Sequence, residues 1–416
     1  MERLLRQAGH SPVEIPRQAQ VIIVNTCGFI DKARRESISI LRKLAAAKRP
    51  GQFLIAAGCL PQLLRERLFQ SVPGLDGLLG TRRWMEISAF LEKLRPGEKL
   101  ILLGDPGREA PQEIPRTTEG PSAYLKIAEG CSAPCAFCTI PRIKGKARSR
   151  PSEAIIAEAR ELVERGAREI TLIAQDITFY GRNRGEKDAL PALIEEILWA
   201  VPELPWLRLM YAYPQGITPR LIEVMASHPQ VCHYLDLPLQ HAHPDVLRRM
   251  NRPHDVEEVR ELIASLRQAM PDIALRTSFI VGYPGETEEE FAELLSFMEE
   301  IAFDRVGIFT YSREEGTKAA ALPGQILDSL KEERYRRAME LQQSISLEKN
   351  KSFVGRTLDV LIEGCGDGLS VGRSYRDAPE VDGLVIIEGD FPIGEIVSVH
   401  ITAALEYDLA GEAIQL

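Results

Sequence analysis

No apolar run in the 416-residue chain approaches the ~20 residues that a membrane-spanning helix needs. The opening MERLLRQAGH has no apolar signal-peptide core. Cysteine is scarce: seven residues, an odd number, argue against a secreted disulfide framework and point to the reducing cytoplasm. Basic residues almost vanish at the end of the chain. From Phe353 onward lie only three of the 51 Lys+Arg but twelve of the 60 Asp+Glu, so this segment carries −9 and the rest is neutral. A segment of that charge repels phosphate, which disfavours nucleic acid as its partner and favours a basic protein.

What is present is the composition of a globular protein, 44% hydrophobic and 27% charged. The length is too great for one ordinary core, so two or three domains are expected. Residues 1–104 read as alternating helix and strand: a short helix over 2–8, the strand AQVIIVNTC, a helix over 31–48, the strand QFLIAAGC, a helix over 61–70, the short strand LDGLLG and a helix over 84–94. Continuous apolar strands separated by helices predict a doubly wound parallel sheet covered on both faces. Ligands gather at the carboxyl ends of such strands. Cys27 and Cys59 sit there, beside Gly28 and Gly58. Two buried free cysteines are the alternative.

Residues 105–121, rich in Pro, Gly and charge, read as a linker. Six strand–helix units follow over 122–350, with strands AYLKIAEG, REITLIAQD, WLRLMYAY, HYLDLPLQ, ALRTSFIVG and DRVGIFTYS. They predict a partial (βα)6 barrel with its chemistry at the strands' carboxyl ends. Directly after the first strand, Cys131, Cys135 and Cys138 form a C-x₃-C-x₂-C array. Three thiolates suit an iron–sulfur cubane that leaves one iron open to a ligand. A structural zinc knuckle is the alternative, but no neighbouring residue supplies a fourth ligand. His241 and His243 read as hydrogen-bonding loop residues. The basic run over 142–150 is either a solvated loop or a docking site for an acidic reductase or substrate. A long amphipathic helix over 327–351 leads to residues 353–416, whose short alternating strands with Gly turns predict a small antiparallel β-barrel.

The array, with Phe137 as the aromatic in C-x₃-C-x-aromatic-C, resembles the signature of radical S-adenosylmethionine (SAM) enzymes. N-T-C-G-F-I and A-A-G-C-L-P-Q resemble the amino-terminal domain of the methylthiotransferases, a radical SAM subfamily, and the last domain resembles TRAM. The runs A-Q-D-I-T-F-Y-G, Y-L-D-L-P-L-Q-H-A, R-M-N-R-P, R-T-S-F-I-V-G-Y-P-G-E-T and G-R-S-Y-R-D-A-P-E-V-D-G are similar to the branch that modifies an aspartate of a small-subunit ribosomal protein. They stretch from about residue 122 to 390.

The resemblance implies two 4Fe-4S clusters, one on Cys131, Cys135 and Cys138 and an auxiliary one on Cys27 and Cys59. The family's third auxiliary ligand follows an initial strand, and this sequence starts in the helix after it. The expectation is therefore a truncated sequence or a start codon set too late, with an exposed sheet edge. SAM is the implied cofactor, with Phe137, Gln175, Asp176, Gln240, Gly282 and Gly285 as its contacts. The implied reaction draws a hydrogen from the aspartate β-carbon with a SAM-derived radical, then attaches sulfur and a methyl group. A basic ribosomal protein and an electron-donating reductase are the implied partners, with nucleic acid unlikely as direct substrate. The competing classes are a tRNA adenosine methylthiotransferase and a non-catalytic iron–sulfur ribosome-assembly factor.

Overall fold

The computed structural model describes residues 1–104 and 120–414. The expected linker thus lies outside the described residues apart from its last two. The first unit is a parallel sheet of β1 (Val21–Thr26), β2 (Phe53–Gly58), β3 (Gly77–Gly80) and β4 (Leu100–Leu102), in that spatial order. Alternate side chains of β2 serve opposite faces. Leu54 and Ala56 pack with Leu41, Leu60 and Leu68 of the helices between β1 and β3. Ile55 and Ala57 pack with Leu4, Leu5, Ile87 and Phe90 of helices Glu2–Gln7 and Ile87–Glu92. Both faces are covered, as continuous apolar strands require. The helix expected over 61–70 is instead two, Cys59–Leu64 and Arg67–Ser71, broken at Arg65 with φ +52°.

The second unit holds β5 (Ser122–Lys126), the small antiparallel ladder β6 (Ala128–Glu129) and β7 (Arg148–Ser149), then β8 (Glu169–Ile173), β9 (Trp206–Leu209), β10 (Val231–Asp236), β11 (Ala274–Val281) and β12 (Arg305–Thr310). All six expected barrel strands are present in one parallel sheet, ordered β5-β8-β9-β10-β11-β12. Leu125, Ile170, Leu207, Leu235 and Leu275 face outward into the helical layer and form the main core. The helix Glu288–Ile301 starts at the capping box of Thr287 and Glu290.

The last unit is a closed barrel of β13 (Thr357–Gly366), β14 (Leu369–Ser374), β15 (Val385–Glu388), β16 (Ile396–Ala404) and β17 (Leu409–Ala413). It closes through one parallel pair, β15 with β17, among otherwise antiparallel neighbours. Its β14–β15 connection enters the inner face of the six-stranded sheet. Ala378 and Leu361 pack there with Met210, Cys232, Tyr234 and Ala274. Glu169, fully buried, accepts from Arg208 of β9 at 2.6 Å and from Arg373 of β14. Burial alone would raise its pKa, but the two guanidiniums outweigh that and hold it down to about 2.

Helix Asp328–Lys351 follows the expected periodicity, but its buried stripe is polar: Lys331, Arg334, Gln342, Ser346 and Asn350 with Ala338. Apart from Lys331, which pairs with Asp328, the polar groups bind backbone. Gln342 donates to the Phe303 carbonyl at 3.0 Å and Asn350 to that of Leu405 at 3.0 Å. The helix thereby joins the two barrels by hydrogen bonds as well as by the apolar packing of Tyr335, Met339, Leu341 and Ile345 against the main core.

Candidate active site

The three-cysteine loop leaves the β5–β6 end of the barrel and returns through β7. Gly130, at φ +84°, opens it. A Cβ there would sit 2.3 Å from the Lys146 carbonyl oxygen, so the close approach of the loop's two ends requires glycine. The Gly130 amide donates to Gln175 Oε1 at 2.6 Å, and the Cys131 amide to the Gly145 carbonyl at 3.0 Å. Across the loop the Ala136 amide reaches Met250 at 2.8 Å, and Asn251 holds the Pro134 carbonyl at 2.9 Å.

Each sulfur receives one N–H: Cys131 from Ala133 at 3.4 Å, Cys138 from Ile140 at 3.4 Å and Cys135 from Arg252 at 3.5 Å. Arg252 is itself fixed, donating to the Pro238 carbonyl at 2.6 Å and lying 4.5 Å over the Tyr213 ring. Burial raises the thiol pKa of Cys131, and that of Cys138 to about 11. Among the described residues only His243, Asp245 and Glu290 bring three ligand atoms within 4.8 Å of one another; the three sulfurs do not. Thiolates around one zinc at about 2.3 Å lie closer than that. An all-sulfur donor set, spread wider and with an N–H aimed at each sulfur, fits an iron–sulfur cluster.

The other expected residues lie around this loop. Phe137 is half-buried among Tyr283, Tyr311 and Met250. Asp176 caps the turn Ile177–Phe179, accepting from the Thr178 amide at 3.0 Å, and burial raises its pKa. Gln240, at φ +78°, extends the sheet through an isolated bridge to Phe279. Gly282 and Gly285 both have positive φ, but they differ in surroundings. A Cβ on Gly282 would meet Lys331 Cγ at 2.3 Å, whereas one on Gly285 meets nothing nearer than Arg249 Nε at 3.9 Å. Glycine at 282 makes room for Lys331.

Cys27 and Cys59 directly follow Thr26 and Gly58, which are paired in the β1–β2 register. A Cβ on Gly28 would press on the Cys59 backbone at 3.0 Å, and one on Gly58 on the Thr26 carbonyl oxygen at 2.7 Å, so the two strand ends meet. Cys27 is exposed and Cys59 half-buried. The loops beside them touch the three-cysteine loop. Thr139 donates to the Phe29 carbonyl at 3.3 Å, Lys144 to Thr81 Oγ1 at 2.7 Å, and Glu314 accepts from the Asp31 amide at 2.9 Å and from Arg34. The carboxyl ends of the two parallel sheets therefore face one another. Cys232 lies in the inner face of the barrel sheet and Cys365 on the outer rim of the last barrel.

Much of the basic run is engaged internally: Arg142 with the Glu315 carbonyl, Lys144 with Glu129, Arg150 with the buried Glu158. His243 accepts from the Asp245 amide at 3.1 Å, and Glu290 is held by Arg249 through both oxygens, so that trio is committed to fixing a helix start. Arg252 and Glu314 were not foreseen as site residues. The R-M-N-R-P run was the available signal for the first.

A six-stranded parallel half-barrel with this loop defines a radical SAM enzyme. Known families match in the same order: uncharacterized protein family UPF0004 over residues 1–80, the radical SAM superfamily over 125–298 and the TRAM domain over 354–414. Among solved structures, the radical S-adenosylmethionine methyltransferase TsrM from Kitasatospora setae is similar at TM-score 0.53 and 14% identity, over 88% of this chain and 71% of that one. That likeness concerns the fold.

The chain belongs to the family of ribosomal protein uS12 methylthiotransferases RimO. It is 50% identical to the member from Roseiflexus sp. (strain RS-1), over 100% of this chain and 93% of that protein. Identity is 51% to the Chloroflexus aurantiacus member, over 100% and 96%, and 48% to the Geobacter sulfurreducens member, over 96% and 91%.

Proposed function

We propose that the chain adds a methylthio group to the β-carbon of an aspartate in ribosomal protein uS12, using SAM and two 4Fe-4S clusters. The observation that carries this reading is the facing of the two cysteine sites, Cys131–Cys138 on the barrel and Cys27 with Cys59 on the first domain, in a chain of this family. When bound, the barrel cluster supplies the electron that cleaves SAM, and the auxiliary cluster supplies the sulfur.

The chain's own residues bind, orient and exclude water. Gln175 holds the turn that opens the cysteine loop, and Arg252 and two backbone amides balance the charge on its sulfurs. Phe137, Gln175, Asp176, Gln240 and Gly285 border the space assigned to SAM. The inserted β14–β15 connection closes the floor of the barrel, which keeps water from a reactive intermediate. The last barrel attracts a basic protein and repels RNA. Two of its three arginines, Arg373 and Arg376, and two of its twelve acids, Asp377 and Asp382, are buried in internal ion pairs, so the outer surface keeps the full excess of acid. We assign the exposed Lys146 and Arg148 to contact with an acidic electron-donating reductase in the cytoplasm.

The test is anaerobic reconstitution, an iron count, and incubation with SAM, a reductant and either uS12 or tRNA. Expected are 5′-deoxyadenosine and the mass of one methylthio group on uS12. Modification of tRNA alone would assign the chain to the other substrate branch, and absence of 5′-deoxyadenosine would leave only the scaffold reading.

A further inference from the structure

His241 and Glu286 come from the segments that follow β10 and β11, and both side chains are fully buried. The His243 amide donates to His241 Nδ1 at 3.0 Å, so the ring carries its proton on Nε2. That Nε2 lies 3.7 Å from Glu286 Oε1, and neither atom has a hydrogen-bond partner among the described residues. The other carboxylate oxygen, Oε2, is already served. The Tyr283 amide donates to it at 2.8 Å, and Arg334 stands 3.6 Å away. One N–H and one carboxylate oxygen are thus left to each other.

Burying such a pair gains little stability, because desolvation offsets its attraction. Its worth is positional. The chain that follows His241 braces one side of the cysteine loop: the Met250 carbonyl accepts from the Ala136 amide at 2.8 Å, and Arg252 donates to Cys135 Sγ at 3.5 Å. The chain around Glu286 braces another side, where Tyr283 packs with Ala136 and Phe137. Farther along, Arg249 joins these two walls by gripping Glu290 through both oxygens. His241 and Glu286 form the second tie, nearer the strand ends. Each is next in sequence to an expected SAM contact, Gln240 and Gly285. Gln240 keeps its left-handed backbone, φ +78°, through main-chain bonds to Ser278 and Ile280, both 2.8 Å.

We propose that His241 is a positioning residue for SAM: through Glu286 it sets the distance between the walls that carry Gln240 and Gly285. The inference rests on the proposed function, since it takes those two residues to border SAM. His241 itself does not touch the ligand. It acts by holding the two walls in register, and a small misplacement there is costly because a bound ligand needs both walls at once.

The experiment uses the reconstituted full chain and reads SAM affinity by equilibrium dialysis, with an iron count and hydrogen exchange alongside. His241→Phe keeps a ring but loses the N–H. It is expected to weaken SAM binding about tenfold, the worth of one hydrogen bond to a charged group, with iron content unchanged and faster exchange at residues 240–242 and 282–286. His241→Gln, whose amide can donate in place of Nε2, should restore most of the affinity. Glu286→Gln should weaken binding as His241→Phe does. Its oxygen must stay on the Tyr283 amide, which turns its NH2 against the His241 N–H. Wild-type affinity in His241→Phe, or an equal loss in His241→Gln, overturns the inference alone. Should His241→Phe lose its iron, Glu286→Gln decides: weaker SAM binding at full iron content supports the tie, and wild-type affinity overturns it. Failure of the wild-type chain to bind SAM overturns the proposed function and the inference with it.

Discussion

Arg252 donates through Nη1 to the Sγ of Cys135 at 3.5 Å, across 117 positions of sequence. Its other terminal nitrogen is anchored on Pro238 and its plane on Tyr213, so the guanidinium cannot swing away without losing both contacts. A fixed positive charge beside one ligand stabilises the more negative, reduced state of a bound cluster. Arg252→Met should therefore shift the barrel cluster's midpoint potential downward, and Arg252→Lys by less, because an ammonium keeps the charge without the fork. Potentiometric titration followed by electron paramagnetic resonance measures this. An unchanged midpoint in Arg252→Met would mean that the contact has no electrostatic consequence.

Glu169 is the hinge between the two barrels. Removing its charge leaves Arg208 buried without a counter-ion and Arg373 with Glu363 alone, a loss of about 3–5 kcal/mol for a broken buried pair. Glu169→Gln should lower unfolding stability in urea by that order. The dependence on pH has a definite sign. The carboxyl titrates near 4.5 when unfolded and about 2 when folded. Its contribution is thus full above about pH 4.5 and fades as pH falls from there toward 2. The gap between wild type and Glu169→Gln should be wide at pH 7 and narrower at pH 3.5. A gap that widens on acidification contradicts the assignment.

The barrel strands and the cysteine loop were legible because their signals are local. Six apolar runs of strand length each precede a helix, and Cys131, Cys135 and Cys138 lie within eight residues of chain. Short or weakly apolar strands were not legible: β4 is only L-I-L and β17 reads L-A-G-E-A. Nor was the break at Arg65, where chain geometry overrides an unbroken helical pattern. The most instructive failure concerns charge. Arg373 and Arg376 count as surface cations in any sequence sum, yet both are buried, because their partners Glu169 and Asp304 belong to another domain. The site's long-range members, Arg252 and Glu314, were invisible for the same reason.

Glu314 ties the first domain to the barrel beside the cysteine sites. Its carboxylate, 4% exposed, accepts from Arg34, from the Asp31 amide at 2.9 Å and from Ser312 at 2.6 Å. Arg34 lies one turn into the helix that follows Cys27. Glu314→Gln keeps the shape but leaves the Arg34 guanidinium with Asp31 alone, at 3.2 Å. The expected outcome is a several-fold fall in methylthiolated product per 5′-deoxyadenosine, with SAM cleavage preserved. Hydrogen exchange should also rise in helix Asp31–Ala47. A constant product ratio with faster exchange would show that the ion pair steadies the interface without aligning the two sites.

The division of labour between the two cysteine groups is the sharpest prediction. Cys131, Cys135 and Cys138 each receive an N–H on sulfur and are braced by contacts from both ends of the loop, so replacing any one removes both a ligand and part of that frame. Cys131→Ala, Cys135→Ala or Cys138→Ala should abolish 5′-deoxyadenosine formation. Cys59 stands at the end of β2, outside that frame, and its backbone packs against Gly28. Cys59→Ala should therefore lower the iron count and end methylthiolation while leaving SAM cleavage near wild type. The iron count is the control that separates this outcome from misfolding, because the barrel cluster should remain. Cys232, buried against Tyr234 and Ala274 in the inner face of the barrel sheet, serves as the negative control. Cys232→Ser should change neither the iron count nor the product. Loss of SAM cleavage in Cys59→Ala would contradict separate roles and make the facing sites one electronic unit.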